Sequence, residues 1–216
     1  MPTIQDLEND LRSEIAALEA RFLANWIPAQ PTHRPENFQH DVKAYCVLAH
    51  AVFEEFVEEV SLIALKAAKG AWLSKKFSAG TVALLLSYGG DFSMAENEDV
   101  DQEKVFDQVR KCLDDCAVKH SNALANNHGF SLKYLRNILT PIGIDIPSDI
   151  KLMESLRELA AARGSYAHSQ SKLAKYGQWK RADRPMVPEK ANQAVNDCLD
   201  LCQQLAQRVS ELQDCR

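Results

Sequence analysis

An arginine and a histidine separated by four residues stand out in the segment LAAARGSYAHSQS, residues 159–171. Arg163 carries a permanent charge, and its planar donors can hold two phosphate oxygens at once. His168 titrates near neutral pH, so its ring can take a proton from an attacking hydroxyl or give one to a leaving oxygen. RNA supplies its own nucleophile, the 2′-hydroxyl, and this chemistry needs no metal ion. The pair predicts cleavage of RNA to a cyclic 2′,3′-phosphate and a free 5′-hydroxyl.

The spacing of the pair requires a local change in the helix that carries it. Residues five apart on a regular helix point about 140° from each other. Gly164 and Ser165 lie between Arg163 and His168, and we expect a bend at Gly164 that turns both side chains toward one target. The alternative is structural, because an arginine and a histidine near a helix end can simply satisfy carbonyl groups and the helix dipole. The motif alone does not decide between these interpretations.

A cationic stretch follows the motif between residues 172 and 184. Cations beside aromatic rings suit single-stranded RNA, because phosphates need neutralising and unstacked bases need a platform. The alternative is a solvated loop with two anchoring aromatic residues. The candidate RNA-binding residues are Ser165, Tyr166, Lys172, Lys175, Tyr176, Trp179, Lys180 and Arg181.

Composition and charge restrict where such contacts can occur. The 216 residues are 46% hydrophobic and 25% charged, an ordinary globular composition. A net charge of −5 argues against a broadly basic surface for duplexes, so nucleic acid must be bound at a local patch. The acidic start MPTIQDLENDL is unlike a secretory signal, and no window approaches the roughly 18 apolar residues of a membrane span. We therefore expect a cytoplasmic protein with no membrane partner.

Apolar periodicity predicts helices along the chain, and no segment alternates as a strand does. The predicted helices are residues 3–26 with Thr3 as the cap, 37–69 with Gly70 as the stop, a shorter segment within 71–90, 102–122, 131–142, a helix from a Pro147-Ser148 cap to 162, and 188–212. We expect an all-α, up-and-down helical bundle with additional short helices. The whole chain, 1–216, is predicted to be a single domain, with an N-terminal helix and proline-rich connector at 1–36 and the core bundle at 37–212.

Cysteines recur at helical spacing in two places. Cys112, Cys116 and His120 follow one another every four residues, and Cys198 and Cys202 do the same later. Four thiolates, or three with an imidazole, would suit zinc if the two helices packed together. However, the C-x3-C spacing lacks the usual knuckle turn, and buried cysteine is a common small core residue. We expect no metal and no cofactor.

Three segments resemble one family, the HEPN superfamily. RGSYAHS, from Arg163, is similar to the R-x4-6-H motif that these all-α domains carry late in the chain. HAVFEEFVEEV, residues 50–60, resembles the early helix of RiboL-PSP-type and MAE-type members. NNHGFSLKYLRNILTPIGIDIP, residues 126–147, resembles their middle segment, which ends in an "iGi" turn before the motif helix. The segments occur in the family order, and the likeness covers residues 40–210.

The resemblance implies an activity and roles for individual residues. HEPN domains form helical bundles that dimerise so that two R-x4-6-H motifs face one cleft, and many are endoribonuclease toxins or phage-defence effectors. Carried over, Arg163 would hold the phosphate and His168 would act in acid/base catalysis. Glu54 would orient Arg163, with Glu55 as a substitute. The implied partners are RNA, a second copy of the chain, and an antitoxin or other regulatory protein. Since His50 lies one turn before Glu54, we also expect a local hydrogen-bonded pair there rather than a second active site.

One position departs from the family pattern. The residue after the arginine is commonly Asn, Asp or His in active families, whereas Gly164 stands here. That removes a polar helper and favours a second interpretation, a catalytically inactive HEPN module that binds a partner protein or nucleotide. A third interpretation is a zinc-stabilised helical interaction protein.

Overall fold

The computed structural model describes residues 2–89, 101–167 and 186–214. Within these ranges every regular element is helical, which confirms the predicted all-α fold class. The elements are α1 (Ile4–Phe22), α2 (Pro35–Leu73), α3 (Ala79–Tyr88), α4 (Gln102–Ala125), α5 (Leu132–Leu139), a 3-10 turn (Thr140–Ile142), α6 (Ile150–Ala167) and α7 (Pro188–Asp214). None of the described helices is long and apolar enough to cross a membrane.

The chain divides into two compact units that each combine distant segments of the sequence. Unit 1 comprises Met1–Phe56, Gly129–Leu132 and Pro147–Gln204. Unit 2 comprises Val57–His128, Lys133–Ile146 and Leu205–Arg216. Helices α2 and α7 contribute to both units, because one boundary, after Phe56, falls within α2 and another, after Gln204, falls within α7. The single domain over 1–216 stays a prediction.

Helix α1 begins where the sequence predicts and ends earlier. The Thr3 hydroxyl accepts a hydrogen bond from the Asp6 backbone N–H at 3.1 Å, and the Asp6 carboxylate accepts from the Thr3 N–H at 2.8 Å. Such a capping box satisfies two backbone donors that would otherwise lack partners. The predicted end at Trp26 is wrong, because the helix ends at Phe22 and the indole N–H of Trp26 donates to Asp41 at 2.8 Å.

The predicted stop of α2 at Gly70 is also wrong. The helix continues to Leu73, and the first left-handed residue after it is Lys75, with φ of 57°. The Lys75 N–H then bonds to the Trp72 carbonyl at 2.8 Å. The turn after the helix therefore places a lysine in a conformation that glycine would adopt at less cost, and the sequence gives no signal for it.

Helix α6 differs from its prediction at both ends. Its cap is Asp149 rather than Pro147-Ser148, since the Asp149 carboxylate accepts from the Leu152 N–H at 3.0 Å. It also continues beyond residue 162 to Ala167. The predicted helices at 102–122 and 188–212 are confirmed as α4 and α7 and run slightly further.

A buried carboxylate joins α6 to α7 within unit 1. Asp197 is almost fully buried and accepts hydrogen bonds of 2.7 Å from each of Lys151, Ser155 and Gln193. Burial acts to raise the pKa of Asp197, but the three donors outweigh it and hold that pKa below its usual range. The charged network fixes α6 against α7. Apolar side chains complete this core: Ile15, Leu23, Val42, Tyr45, Phe53, Phe130, Leu156, Leu159, Val195 and Leu201.

The predicted turn at Gly143 organises unit 2. Gly143 has φ of +80°, a left-handed conformation, and its two isoleucine neighbours, Ile142 and Ile144, are buried. A Cβ on Gly143 would lie 3.3 Å from the Cα of Gly80 in α3, so glycine also permits the close approach of α3. The turn thereby places both isoleucines in the core and lets its backbone pack closely against that of α3.

A buried histidine links α2, α3 and α4 in the same unit. Ser61 donates its hydroxyl hydrogen to the Ile138 carbonyl at 2.9 Å, so its oxygen accepts from Nε2–H of His120, also at 2.9 Å. Burial lowers the pKa of His120 to about 4, and the neutral ring then accepts at Nδ1 from the Tyr88 hydroxyl at 3.3 Å. Every donor in this Tyr88–His120–Ser61 chain is matched by an acceptor.

We expect the stability of the protein to fall as pH is lowered from 6.5 to about 4. Over that interval the folded chain keeps His120 neutral, whereas the unfolded chain binds a proton there. The thermal midpoint from circular dichroism should therefore decrease, and His120→Gln should decrease less steeply, because glutamine binds no proton. His40→Gln, at an exposed position, serves as the control and should follow the wild type. Equal slopes for all three proteins would contradict the expectation.

Candidate active site

Arg163 lies in the last turn of α6, on a helix that does not stop at Gly164. The helix continues without a break through Gly164 to Ala167, and the predicted bend stays a prediction because His168 lies outside the described residues. The Ser165 hydroxyl donates back to the Ala162 carbonyl at 3.0 Å, which is a helical arrangement. A Cβ on Gly164 would meet no atom within 4 Å, so no packing contact requires glycine there.

The second motif residue falls outside the structural description. His168 lies beyond the described end of α6, and so does the cationic stretch. The predicted RNA-binding residues in that part are Lys172, Lys175, Tyr176, Trp179, Lys180 and Arg181. Their roles stay predictions.

The Arg163 side chain is partly exposed. Within the described ranges its guanidinium makes no ion pair and no hydrogen bond. Arginine is usually held by carboxylates or carbonyl groups when it is partly buried, because its five N–H donors otherwise lack partners. The site therefore presents a positive charge that the described side chains do not neutralise, which suits an anionic ligand.

The positive charge of Arg163 affects the pKa of His50 in α2. Its ring is buried, and Nε2 accepts a hydrogen bond from the Phe130 backbone N–H at 3.2 Å. Nε2 is therefore unprotonated, and the hydrogen of the neutral ring sits on Nδ1, 3.8 Å from the Glu54 carboxylate. Burial, and to a lesser extent the positive charge of Arg163, lower the pKa of His50 to about 4. A residue of α2 and the motif arginine of α6 thus share one electrostatic environment.

Aromatic packing fixes the orientation of the His50 ring. Phe130 stacks on Phe53, with ring centroids 5.1 Å apart and planes at 25°. The edge of Phe130 also meets the His50 ring at 6.1 Å. Gly129, with φ of 146°, gives the chain the turn that brings the Phe130 N–H to His50.

Glu54 and Glu55, the two candidates that the resemblance offers for orienting Arg163, differ in their surroundings. Glu54 is 21% exposed and faces His50, whereas Glu55 is exposed. Glu54 makes no ion pair with Arg163 in the described chain, and its carboxylate lies 3.8 Å from Nδ1 of His50. The predicted role of Glu54 in orienting Arg163 stays a prediction. The predicted His50–Glu54 pairing has the expected one-turn spacing but is longer than a normal hydrogen bond.

Tyr166 has contacts that give it a structural role beside its predicted contact with RNA. Its hydroxyl accepts from the Met186 backbone N–H at 3.1 Å, which ties the end of α6 to the start of α7. The Lys43 ammonium lies 5.6 Å from the centre of its ring, a cation–π distance. The RNA contacts of Tyr166 and Ser165 stay predictions.

The cysteines do not form a recognisable metal site in the described part of the chain. No group of three or more His, Cys, Asp or Glu residues suited to a metal occurs there. Both ring nitrogens of His120 are engaged in hydrogen bonds, so the ring has no free lone pair for zinc. Burial raises the pKa of the Cys116 thiol, which also disfavours the thiolate that a metal needs.

We expect Arg163→Met to raise the pKa of His50. The substitution removes one of the two causes that lower the pKa, while burial should still keep it under 6.5. The measurement is a pH titration of the His50 ring protons by NMR, with the signal assigned from the spectrum of His50→Gln. Arg157→Met, at an exposed position of the same helix, is the matched control and should leave the pKa unchanged. An unchanged pKa in Arg163→Met would separate the two residues electrostatically.

Sequence comparison agrees with the three segments that carry the resemblance. The family model of RiboL-PSP-HEPN matches residues 9–211, nearly the whole chain. No curated protein and no solved structure matches the chain significantly. The chain therefore belongs to the RiboL-PSP-HEPN family, a branch of the HEPN superfamily.

Proposed function

We propose that this protein is a metal-independent endoribonuclease that cleaves single-stranded or structured RNA by attack of the 2′-hydroxyl. One observation carries the proposal: the guanidinium of Arg163, the motif residue, is unpaired within the described residues and lies near a neutral histidine. A phosphodiester is the anion that this charge would hold, because the guanidinium donors match two phosphate oxygens. Family membership supports the same chemistry, since HEPN domains are typically ribonucleases.

The reaction divides between Arg163 and His168. Arg163 binds the non-bridging oxygens and stabilises the charge that accumulates on them as the 2′-oxygen attacks phosphorus. His168 takes the proton of the 2′-hydroxyl, and a protonated imidazole gives one to the 5′-oxygen as the P–O5′ bond breaks. The products are a cyclic 2′,3′-phosphate and a 5′-hydroxyl end. One base and one acid are needed, and two copies of the chain would supply two motif histidines.

His50 and Glu54 act as positioning residues in this proposal. A neutral His50 places no second positive charge near Arg163. A protonated His50 would repel the guanidinium and destabilise its position. The negative charge of Glu54, 3.8 Å from Nδ1 of His50, favours the tautomer that carries its hydrogen there and accepts the Phe130 N–H at Nε2. Both residues would therefore influence catalysis without touching RNA.

The biological partners follow from the family. We infer that the protein acts on RNA as a homodimer, as a toxin or antiviral-defence effector, under the control of an antitoxin or other regulatory protein. The cationic residues after His168, together with Ser165 and Tyr166, would contact the RNA strand.

A second candidate function is a catalytically inactive HEPN module that binds a partner protein or nucleotide. Gly164 favours it, because a side chain at this position would extend into open space beside Arg163 and none is present. The two functions differ in whether the phosphodiester is cut.

We expect purified protein to cleave a mixture of single-stranded and transfer RNA in excess EDTA and to leave cyclic phosphate ends. His168→Ala should lower the rate by about 10²- to 10⁴-fold, because proton transfer is lost. Arg163→Lys keeps the charge but loses the paired donors, and we expect a loss of about 10²-fold. Product ends are analysed by sensitivity to enzymes that open cyclic phosphates.

The control for this experiment is Arg157→Ala, an exposed arginine of the same helix, which should cleave as the wild type does. Equal cleavage by wild type and His168→Ala would point to a contaminating nuclease. RNA binding without cleavage in any buffer would favour the inactive module instead.

Light scattering should give about twice the 24.2 kDa mass of one chain. A composite cleft needs two copies, so a monomer at high protein concentration would contradict it. The mass of His168→Ala should equal that of the wild type, since the residue is assigned to chemistry and not to assembly.

A further inference from the structure

Unit 2 contains a pocket that the proposed active site does not use. Its volume is about 480 Å³, within the usual range for small-molecule sites. It is formed by the end of α3, the end of α4, α5 and the 3-10 turn, all in unit 2, whereas Arg163 belongs to unit 1. The polar residues that matter here are Tyr88, Asn127, Tyr134 and Arg136.

Asn127 is the unusual residue of this pocket. It is only 4% exposed, and neither the nitrogen nor the oxygen of its side-chain amide has a hydrogen-bond partner among the described residues. Buried amides are almost always paired, because an unpaired donor and acceptor lose their water without compensation. A ligand in the pocket would supply both missing partners once the amide turns toward it.

An asparagine amide can form two hydrogen bonds to one base at the same time. Its nitrogen donates and its oxygen accepts side by side, which matches the adjacent acceptor and amino donor on the edge of adenine. Tyr88 and Tyr134 add aromatic rings to the same lining, and rings of this kind stack on unpaired bases.

The charge of the pocket fits a phosphate. Arg136 is exposed and makes no ion pair within the described ranges, and none of the described lining residues is acidic. An arginine beside a base-sized pocket can hold the phosphate of the same nucleotide.

The aromatic wall is held in place before any ligand arrives. Tyr88 is fixed by its hydroxyl, which donates to His120, and by its carbonyl, which accepts from the Lys119 ammonium at 2.8 Å. A fixed ring loses little freedom on binding, which favours affinity.

We propose that this pocket binds an adenine nucleotide, with Asn127 pairing to the base, Tyr88 or Tyr134 against its face, and Arg136 on its phosphate. The nucleotide can be free or an unpaired residue of an RNA strand, because both present the same base and phosphate. The proposal does not rest on the proposed ribonuclease activity.

The test is isothermal titration of the full-length His168→Ala protein, so that loss of cleavage and loss of binding are measured separately. Adenosine 5′-monophosphate should bind more tightly than the guanosine, cytidine and uridine monophosphates, and ribose 5-phosphate should bind weakly. Asn127→Leu and Arg136→Ala should each reduce adenylate affinity by about ten-fold. The matched controls, Asn122→Ala and Lys133→Ala, alter exposed residues outside the pocket lining and should not.

A thermal melt distinguishes loss of a ligand contact from loss of structure. Asn127→Leu replaces an unpaired buried amide with an apolar group of similar size, so its thermal midpoint should equal or exceed that of its parent. A lower midpoint together with unchanged adenylate binding would mean that the amide serves the fold alone, and the proposal would be rejected.

Short RNA oligomers identify the source of the nucleotide. Tighter binding of oligoadenylate than of the monophosphate, weakened by Asn127→Leu, would assign the pocket to an RNA residue. Binding of the monophosphate alone would assign it to a free nucleotide. No adenylate binding, or equal binding of all four monophosphates, would overturn the proposal.

Discussion

Unit 1 depends on a buried histidine that stays neutral. His50 accepts the backbone N–H of Phe130, a bond that only an unprotonated nitrogen can make. If the ring took a proton, it would lose that bond and place a second positive charge near Arg163. One imidazole therefore joins α2 to the Gly129–Leu132 connector. The orientation of Phe130, stacked on Phe53, follows from the same bond.

Two charged side chains lie near opposite ends of α6, and they differ in the partners that the fold gives them. Asp197, which meets the first turns of α6, is buried and surrounded by three donors. Arg163, in its last turn, receives no acceptor from the described residues although it is partly buried. Folding thus pairs the charge of Asp197 and leaves that of Arg163 without a partner among the described residues. That contrast is the main structural support for the proposed binding of an anion by Arg163.

Local signals in the sequence predict the helices and some of their ends. Contacts between residues that are far apart along the chain cannot be predicted from such signals. Thr3 and Gly143 are predicted correctly, because a cap and a left-handed turn depend on neighbours within three residues. The stop at Gly70 fails, since the helix continues through this exposed glycine to Leu73. The role of His50 could not be predicted, because its partner Phe130 lies 80 residues further along the chain. The spacing of His50 and Glu54 was the one available signal.

The hydrogen bonds from Tyr88 to His120 and on to Ser61 run in a single direction. Tyr88 donates its only hydroxyl hydrogen to the His120 ring, so its oxygen can act toward a ligand only as a hydrogen-bond acceptor. A molecule that meets this oxygen must bring a hydrogen, as an amino group does and a carbonyl does not. If the proton of His120 moved from Nε2 to Nδ1, the ring would donate to the Tyr88 oxygen, and the Tyr88 hydroxyl could then donate its hydrogen to a ligand. The tautomer of a ring that no ligand touches therefore decides which functional group can approach Tyr88.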